Sequence, residues 1–334
     1  MKVVETVEAY CRQFSLLRPG ETILIACSGG PDSLALLDIL SILRPAYNLR
    51  LAVCYVHHGI REAADEEVRF VRKEAEMRDC AFICRRADVP SLAAQEHASV
   101  EAVGRRERYR LLREEKDRLN AAVIAVAHHQ DDQAETVLLH ILRGSGLTGL
   151  GAMRPQNDDV IRPLLGITRR DIDAYVKERN LTPCHDETND SVQFMRNRIR
   201  LELLPMLRQY NPSVVGDLNR LAQIAQAEDD CMAQWAERLY VSHVRPCDGG
   251  AGVEKKWLLV QPLAVQRRLV RLLCRNVTGT ERDIPFHYVE TIRELACKGS
   301  GKQFQTGSVA AYTTKADLRV VLSQGIKGRC RQNF

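Results

Sequence analysis

Residues 28–33 read Ser-Gly-Gly-Pro-Asp-Ser, between an apolar run at 22–27 and an apolar periodic segment that starts at Ser33. Gly29 and Gly30 permit positive φ and a close approach to the backbone. Pro31 stiffens the loop, and a helix opening at Ser33 leaves N–H groups pointing outward at its positive end. With the hydroxyls of Ser28 and Ser33, the segment has the chemistry of a phosphate cradle. Asp32 would repel a phosphate unless a cation such as Mg²⁺ lies between them. Helix capping would account for Asp32 or Ser33 with no ligand at all, but not for the paired glycines and both serines.

Further groups share this potential. His57-His58-Gly59-Ile60-Arg61 closes a second apolar run. Such a turn either contacts a nucleotide or phosphate, with His58 and Arg61 at hand, or is a plain polar turn. In AHHQDDQAET, 127–136, His128, Asp132 and Glu135 are spaced i, i+4, i+7 and can share one helix face. Two acids there can hold a metal or a substrate ammonium. His57, His58, His128, His129, Asp131 and Asp132 together also offer the ligands of a binuclear metal centre, as in a metal-dependent phosphohydrolase. The bland alternative is an acidic helix N-terminus. The substrate site ranks first, because this loop is expected beside the cradle. Arg105 and Arg108 of RRERYR either face the site or lie on a solvated helix face. Asp186, Glu187 and Asn189 precede Arg196, Arg198 and Arg200, a combination able to bind an amine and a polyanion. GSGLTG at 144–149 follows a helix rather than a strand, and Gly299-Ser300-Gly301-Lys302 lacks both the first glycine and the Ser or Thr of a Walker loop, so neither is a nucleotide fingerprint.

The elements that must position these residues alternate. Strands are expected at 22–27, 49–57, 81–85 and 121–128, and helices at 33–43, 64–78, 99–119, 132–143 and 168–179, with a short apolar segment at 160–165. Continuously apolar strands separated by helices predict an α/β fold, a doubly wound parallel sheet of four or five strands covered on both faces. Ligands then lie beyond the carboxyl ends of the strands. After about residue 197 the pattern becomes helical, 245–253 reads as a linker, and short strands close the chain. The expected domains are a catalytic one over 1–215 and a mostly helical one over 216–330.

At 334 residues the chain is too long for one core. No apolar run is long enough to span a bilayer as a helix. Glu5 and Glu8 stand where a signal peptide would be apolar, so a cytoplasmic location is expected. The eleven cysteines are scattered and read as free thiols. The net charge of +5 is modest, but 193–210 holds four arginines against one glutamate and 255–275 six cations with no acid. Such patches suit a polyanionic partner.

SGGPDS resembles the pyrophosphate-binding loop of the N-type ATP pyrophosphatases, the PP-loop proteins. VHHGIR (56–61), AHHQDDQAET (127–136), RGSGLTGLGAM (143–153), IRPLL (161–165) and DETND…RNRIR…LLP (186–205) together resemble the tRNA(Ile)-lysidine synthetase family, in the family's order. The remainder resembles the family's helical tRNA-contacting domain more loosely. The resemblance implies a two-step ligation. ATP with Mg²⁺ adenylates the C2 oxygen of the wobble cytidine of a tRNA(Ile) bearing CAU, and the ε-amine of free L-lysine displaces AMP to give lysidine. It implies that Ser28, Gly29, Gly30, Pro31, Asp32, Ser33, His58 and Arg105 hold ATP and that Asp32 meets the metal. Asp132, Glu135, Asp186, Asn189, Arg196, Arg198 and Arg200 would bind substrate, with Asp32, His128, Asp132 and Glu135 catalytic. No membrane partner is expected, and a homodimer is the candidate assembly. His57 stands where the family commonly has an acid or amide, and Gly104 where it has Ala. Two other functions compete: tRNA thiolation, which needs a cysteine pair such as Cys80 and Cys84, and tRNA binding with ATP as a mere ligand.

Overall fold

The computed structural model describes residues 2–59, 64–184, 195–280 and 284–323. They form two compact units, Met1–Gln226 and Ala227–Phe334.

The first unit is built on strands β1 (Thr22–Ala26), β2 (Arg50–His57), β3 (Ala81–Arg86), β4 (Val123–Ala125), β5 (Gln156–Asn157) and β6 (Val160–Ile161), in the order β3-β2-β1-β4-β6-β5. All neighbours pair in parallel except β5, an antiparallel edge strand. The parallel sheet expected from the alternation is therefore present. Successive side chains of a strand point to opposite faces. Ile23 and Ile25 share a core with Leu36 and Leu40 of α2 (Pro31–Tyr47), whereas Leu24 between them packs with Leu112. Helices α1 (Lys2–Gln13), α2 and α3 (Ala64–Glu76) cover the first face. After α4 (Val89–Glu96), α5 (Val100–Arg118) covers the second with Leu112. Next come α6 (Gln130–Leu142), α7 (Leu147–Leu150), a 3-10 turn at Pro163–Gly166 and α8 (Arg169–Glu178).

From β1 the chain winds to β2 and β3 on one side and, later, to β4 and β6 on the other. The switch point lies between β1 and β4, so the loops that leave their carboxyl ends are neighbours. Two devices hold the surrounding helices. Asp38, buried in α2, accepts from the Tyr175 hydroxyl at 2.6 Å, Arg179 Nε at 2.9 Å and Arg78 Nη2 at 3.0 Å, which ties α8 to α2. Ile199 and Leu204 pack with Ala134 and Leu138 of α6, seating α9 (Met195–Arg198), a π-helical turn (Ile199–Leu203) and α10 (Leu204–Tyr210) against it. The 30-residue helix α11 (Val214–His243) runs through the division between the units. The division expected at 215/216 falls at its start.

In the second unit α12 (Lys255–Leu259), α13 (Leu263–Thr278) and α14 (Phe286–Leu295) accompany an antiparallel sheet. Its strands β7 (Arg245–Cys247), β8 (Gly250–Glu254), β9 (Gln303–Thr306), β10 (Val309–Thr313) and β11 (Asp317–Leu322) take the order β7-β8-β11-β10-β9. Val253, Ala311, Leu318 and Val320 share its core with Leu269 and Leu273 of α13 and with Val289 and Ile292 of α14. The stretch 245–253, read as a linker, is instead a β-hairpin. Its glycines serve close strand approach: a Cβ on Gly250 would lie 2.0 Å from the Val320 carbonyl oxygen. The cationic stretch 255–275 is also less free than its composition implies. Arg267 pairs with Glu290 at 2.7 Å, Arg268 with Asp229 and Arg275 with Glu237, while Arg271 donates to the Ile284 carbonyl at 3.2 Å.

Candidate active site

The segment 28–33 forms the turn between β1 and α2. Gly29 has φ +85°, a left-handed conformation that an L side chain resists, and a Cβ there would stand 3.1 Å from Val71 Cγ2. Gly30 is the N-cap of α2, and no side chain caps that end. Neither Asp32 nor Ser33 is thus used as a cap. Ser33 Oγ instead braces the loop: it accepts from the Ser28 N–H at 3.2 Å and donates to the Gly30 carbonyl at 2.9 Å. The first N–H groups of α2 stay available at the positive end of the helix.

The loop after β4 supplies the second wall. His129, 4% exposed, is the N-cap of α6. Its Nδ1 accepts from the Asp132 N–H at 3.4 Å, and Asp132 Oδ2 accepts from the His129 N–H at 3.1 Å. With Nδ1 an acceptor, Nε2 carries the proton, and it lies 3.4 Å from Asp132 Oδ2 and 3.8 Å from Asp32 Oδ1. His129 thereby links the cradle to the acids of α6. Burial raises the Asp32 carboxyl, against the opposing pull of His129 and Arg169. Burial would also raise Asp132, but His129, His128, Arg196 and Arg200 hold it below the usual carboxylate range.

Every acid here meets an arginine. Arg169 Nη1 donates to both Asp32 oxygens at 2.9 and 2.8 Å. Arg208 pairs with Asp131. Glu135, 1% exposed, accepts from Arg196 Nε at 3.0 Å and from Arg200 Nε at 2.6 Å, and Asp132 accepts from Arg200 Nη2 at 3.0 Å. Residues 196 and 200 lie one helical turn apart, so both reach α6. Arg198 does not, and pairs at the surface with Glu202 at 3.5 Å.

Three further arginines have no acidic partner among the described residues. Arg105 and Arg108 lie over the Tyr109 ring at 5.3 and 5.5 Å, and Arg162 is buried with Nη1 on the Arg154 carbonyl at 2.9 Å. Burial, together with Arg162, Arg196 and Arg108, pushes His128 down to about 3, so its ring is neutral at physiological pH. His128 Nδ1 is closed off from solvent without a hydrogen-bond partner among the described residues. It precedes α6 rather than sharing its face with Asp132 and Glu135. A neutral imidazole beside guanidiniums that have no acidic partner among the described residues suits a polyanionic ligand with a polar edge. His58, at the end of β2, accepts from the Val89 N–H through its carbonyl at 3.2 Å. Asp186, Glu187, Asn189 and Arg61 lie outside the described residues.

The residues fit Mg²⁺ and not a binuclear centre. A single carboxylate beside N–H groups of a helix N-terminus able to receive phosphate suits Mg²⁺, which takes few protein ligands and fills its shell with phosphate and water. Among the described residues no three His, Cys, Asp or Glu side chains converge as a metal site. Two of the histidines are otherwise engaged: His129 caps α6, and His57 Nδ1 accepts from the Gly59 N–H at 3.1 Å.

Residues 3–207 match a family model described as a PP-loop domain. The chain is 37% identical over 299 residues to a tRNA(Ile)-lysidine synthase of Caldanaerobacter subterraneus subsp. tengcongensis, covering 89% of this chain and 63% of the relative. It is 32% identical over 338 residues to the tRNA(Ile)-lysidine synthase of Clostridium acetobutylicum, covering 99% and 72%. Among solved structures it resembles the U34-tRNA thiolase NcsA of Methanococcus maripaludis, with a TM-score of 0.58, 16% identity, and coverage of 67% of this chain and 79% of that one. At that identity the likeness speaks for the fold alone. The chain thus spans about 63% of the length of the first of these relatives. With a PP-loop match over more than half its length and relatives above 30% identity along nearly all of it, the chain belongs to the tRNA(Ile)-lysidine synthase family of PP-loop proteins.

Proposed function

We propose that this chain ligates free L-lysine to C2 of the wobble cytidine of a tRNA(Ile) with a CAU anticodon, at the expense of ATP. The observation that carries the reading is the meeting of the cradle with the acids of α6 through His129, because one reaction then has a phosphate seat and a cation seat side by side.

The backbone N–H groups of Gly29, Gly30, Asp32 and Ser33 and the Ser28 hydroxyl bind the β- and γ-phosphates. Asp32 would hold Mg²⁺ together with ATP, and the ion would supply positive charge to offset that on the departing pyrophosphate. The cytidine C2 oxygen takes the AMP group as the bond to pyrophosphate breaks. Arg105, Arg108 and Arg162 hold the anions that enter beside His128, whose neutral ring exchanges hydrogen bonds with the extruded base. In the second step the lysine ε-nitrogen bonds to C2, the C2–O bond breaks, and AMP leaves with the oxygen. The free amine is protonated near neutral pH, so it must lose a proton before attack. Asp132 and Glu135 bind its ammonium form, and one of them accepts the proton. For this the ammonium takes over hydrogen bonds that Arg196 and Arg200 make to the same carboxylates.

The test is labelled lysine with ATP and matched tRNAs. Incorporation into tRNA(Ile) bearing CAU, and not into the CAU-bearing tRNA(Met), is expected. No incorporation into either, with the chain folded, would overturn the reading.

A further inference from the structure

We propose that Arg169 is the resident counter-cation of Asp32, which occupies the place of the nucleotide's metal ion and yields it when the metal arrives. The inference rests on the nucleotide-binding reading above. Arg169 Nη1 bridges both oxygens of Asp32 at 2.9 and 2.8 Å, so a positive charge already stands against the carboxylate where a cation would approach it. Its position is set from two directions. The Arg169 N–H donates to Asp131 Oδ2 at 2.9 Å, and Nε donates to Asp173 Oδ1 at 3.0 Å.

The geometry also provides a place to go. The Arg169 side chain is 40% exposed and that of Asp173 57%, so the guanidinium can swing onto Asp173 without leaving an uncompensated buried charge. Arg196 and Arg200 differ: they grip Glu135, which is 1% exposed. Because the backbone contact of Arg169 to Asp131 is independent of its side chain, the exchange leaves α8 docked. Arg169 is therefore a positioning residue that keeps Asp32 aimed and charged until the metal replaces it.

The experiment is titration of the full chain with Mn²⁺–ATP and with metal-free ATP, for wild type, Arg169→Gln and Arg169→Lys. A half-exposed ion pair is worth about a two- to fivefold change in an equilibrium constant. Arg169→Gln should bind Mn²⁺–ATP about two- to fivefold more tightly than wild type, with metal-free ATP unchanged, and Arg169→Lys should return toward wild type. Circular dichroism and thermal melting establish that each variant is folded. Weaker binding of Mn²⁺–ATP by a folded Arg169→Gln chain would overturn the proposal and make Arg169 a phosphate contact. Equal binding by both chains would overturn it as well. Failure of the wild-type chain to bind Mn²⁺–ATP would overturn the nucleotide reading, and this inference with it.

Discussion

Replacing Glu135 by Gln removes a charge and almost no volume. Glu135 is 1% exposed and accepts from Arg196 Nε at 3.0 Å, Arg200 Nε at 2.6 Å and Arg200 Nη2 at 3.0 Å. Breaking a fully buried pair costs about 3–5 kcal/mol. The two arginine side chains are 29% and 35% exposed, so solvent screening brings the expected cost to about 1–3 kcal/mol. For a unit of this size each kcal/mol moves Tm by about 2–4 °C. A fall of several degrees is expected by calorimetry. The effect on lysine is separate. Losing one charge-assisted hydrogen bond to the ammonium costs about 1.5–3 kcal/mol, a rise in lysine KM of roughly ten- to a hundredfold. Lysine KM comes from incorporation at saturating ATP and tRNA, and the first step from pyrophosphate release without lysine. Release should persist. A lysine KM within threefold of wild type in a chain with the lowered Tm would refute the ammonium role and leave Glu135 as an anchor for the arginines.

Three further outcomes are expected. Asp32→Asn should abolish tRNA-dependent pyrophosphate release while leaving Tm within a few degrees, read by phosphate-coupled assay and calorimetry. Burial alone would raise the Asp38 carboxyl, but hydrogen bonds from Arg179 and Tyr175 and the Arg78 charge hold it below the usual range. A carboxyl depressed in the folded state stabilises above its unfolded pKa, near 4, and that contribution is lost as pH falls through the folded value. Asp38→Asn should therefore lower the urea midpoint at pH 7 more than at pH 3. Gly104 lies inside α5, where a Cβ would meet Val89 Cγ1 at an ordinary 3.6 Å. Gly104→Ala should stabilise by about 0.5–1 kcal/mol, seen as a higher Tm.

Local chemistry made the loop at 28–33 legible: its paired glycines and serines mark a special turn between β1 and α2 with no need of a distant partner, and it lies within the PP-loop match. The parallel sheet was legible from its unbroken apolar strands. What was hidden depends on contacts across the chain. Arg169 meets Asp32 across 137 residues, and Arg208 meets Asp131 across 77. Only the winding of the sheet brings them together. His129 looked like one more histidine in a cluster, yet its place as N-cap follows from where α6 starts, a boundary that periodicity locates poorly. The signal for it was present in His129 followed three residues later by Asp132, a capping-box spacing. The same limit explains 245–253, whose glycines imitate a linker although they admit β11 at close range. It also explains 255–275, whose positive charge is offset by Glu290, Asp229 and Glu237 far off in sequence.

The most direct measurement is the mass of the wobble nucleoside, together with the AMP formed, after incubation of the chain with ATP, Mg²⁺, lysine and tRNA(Ile) bearing CAU. Expected is a nucleoside heavier than cytidine by lysine less water, with one AMP formed per lysine bound. An unmodified cytidine alongside AMP and pyrophosphate formation, or a modified base formed without AMP, would contradict lysidine synthesis at this site.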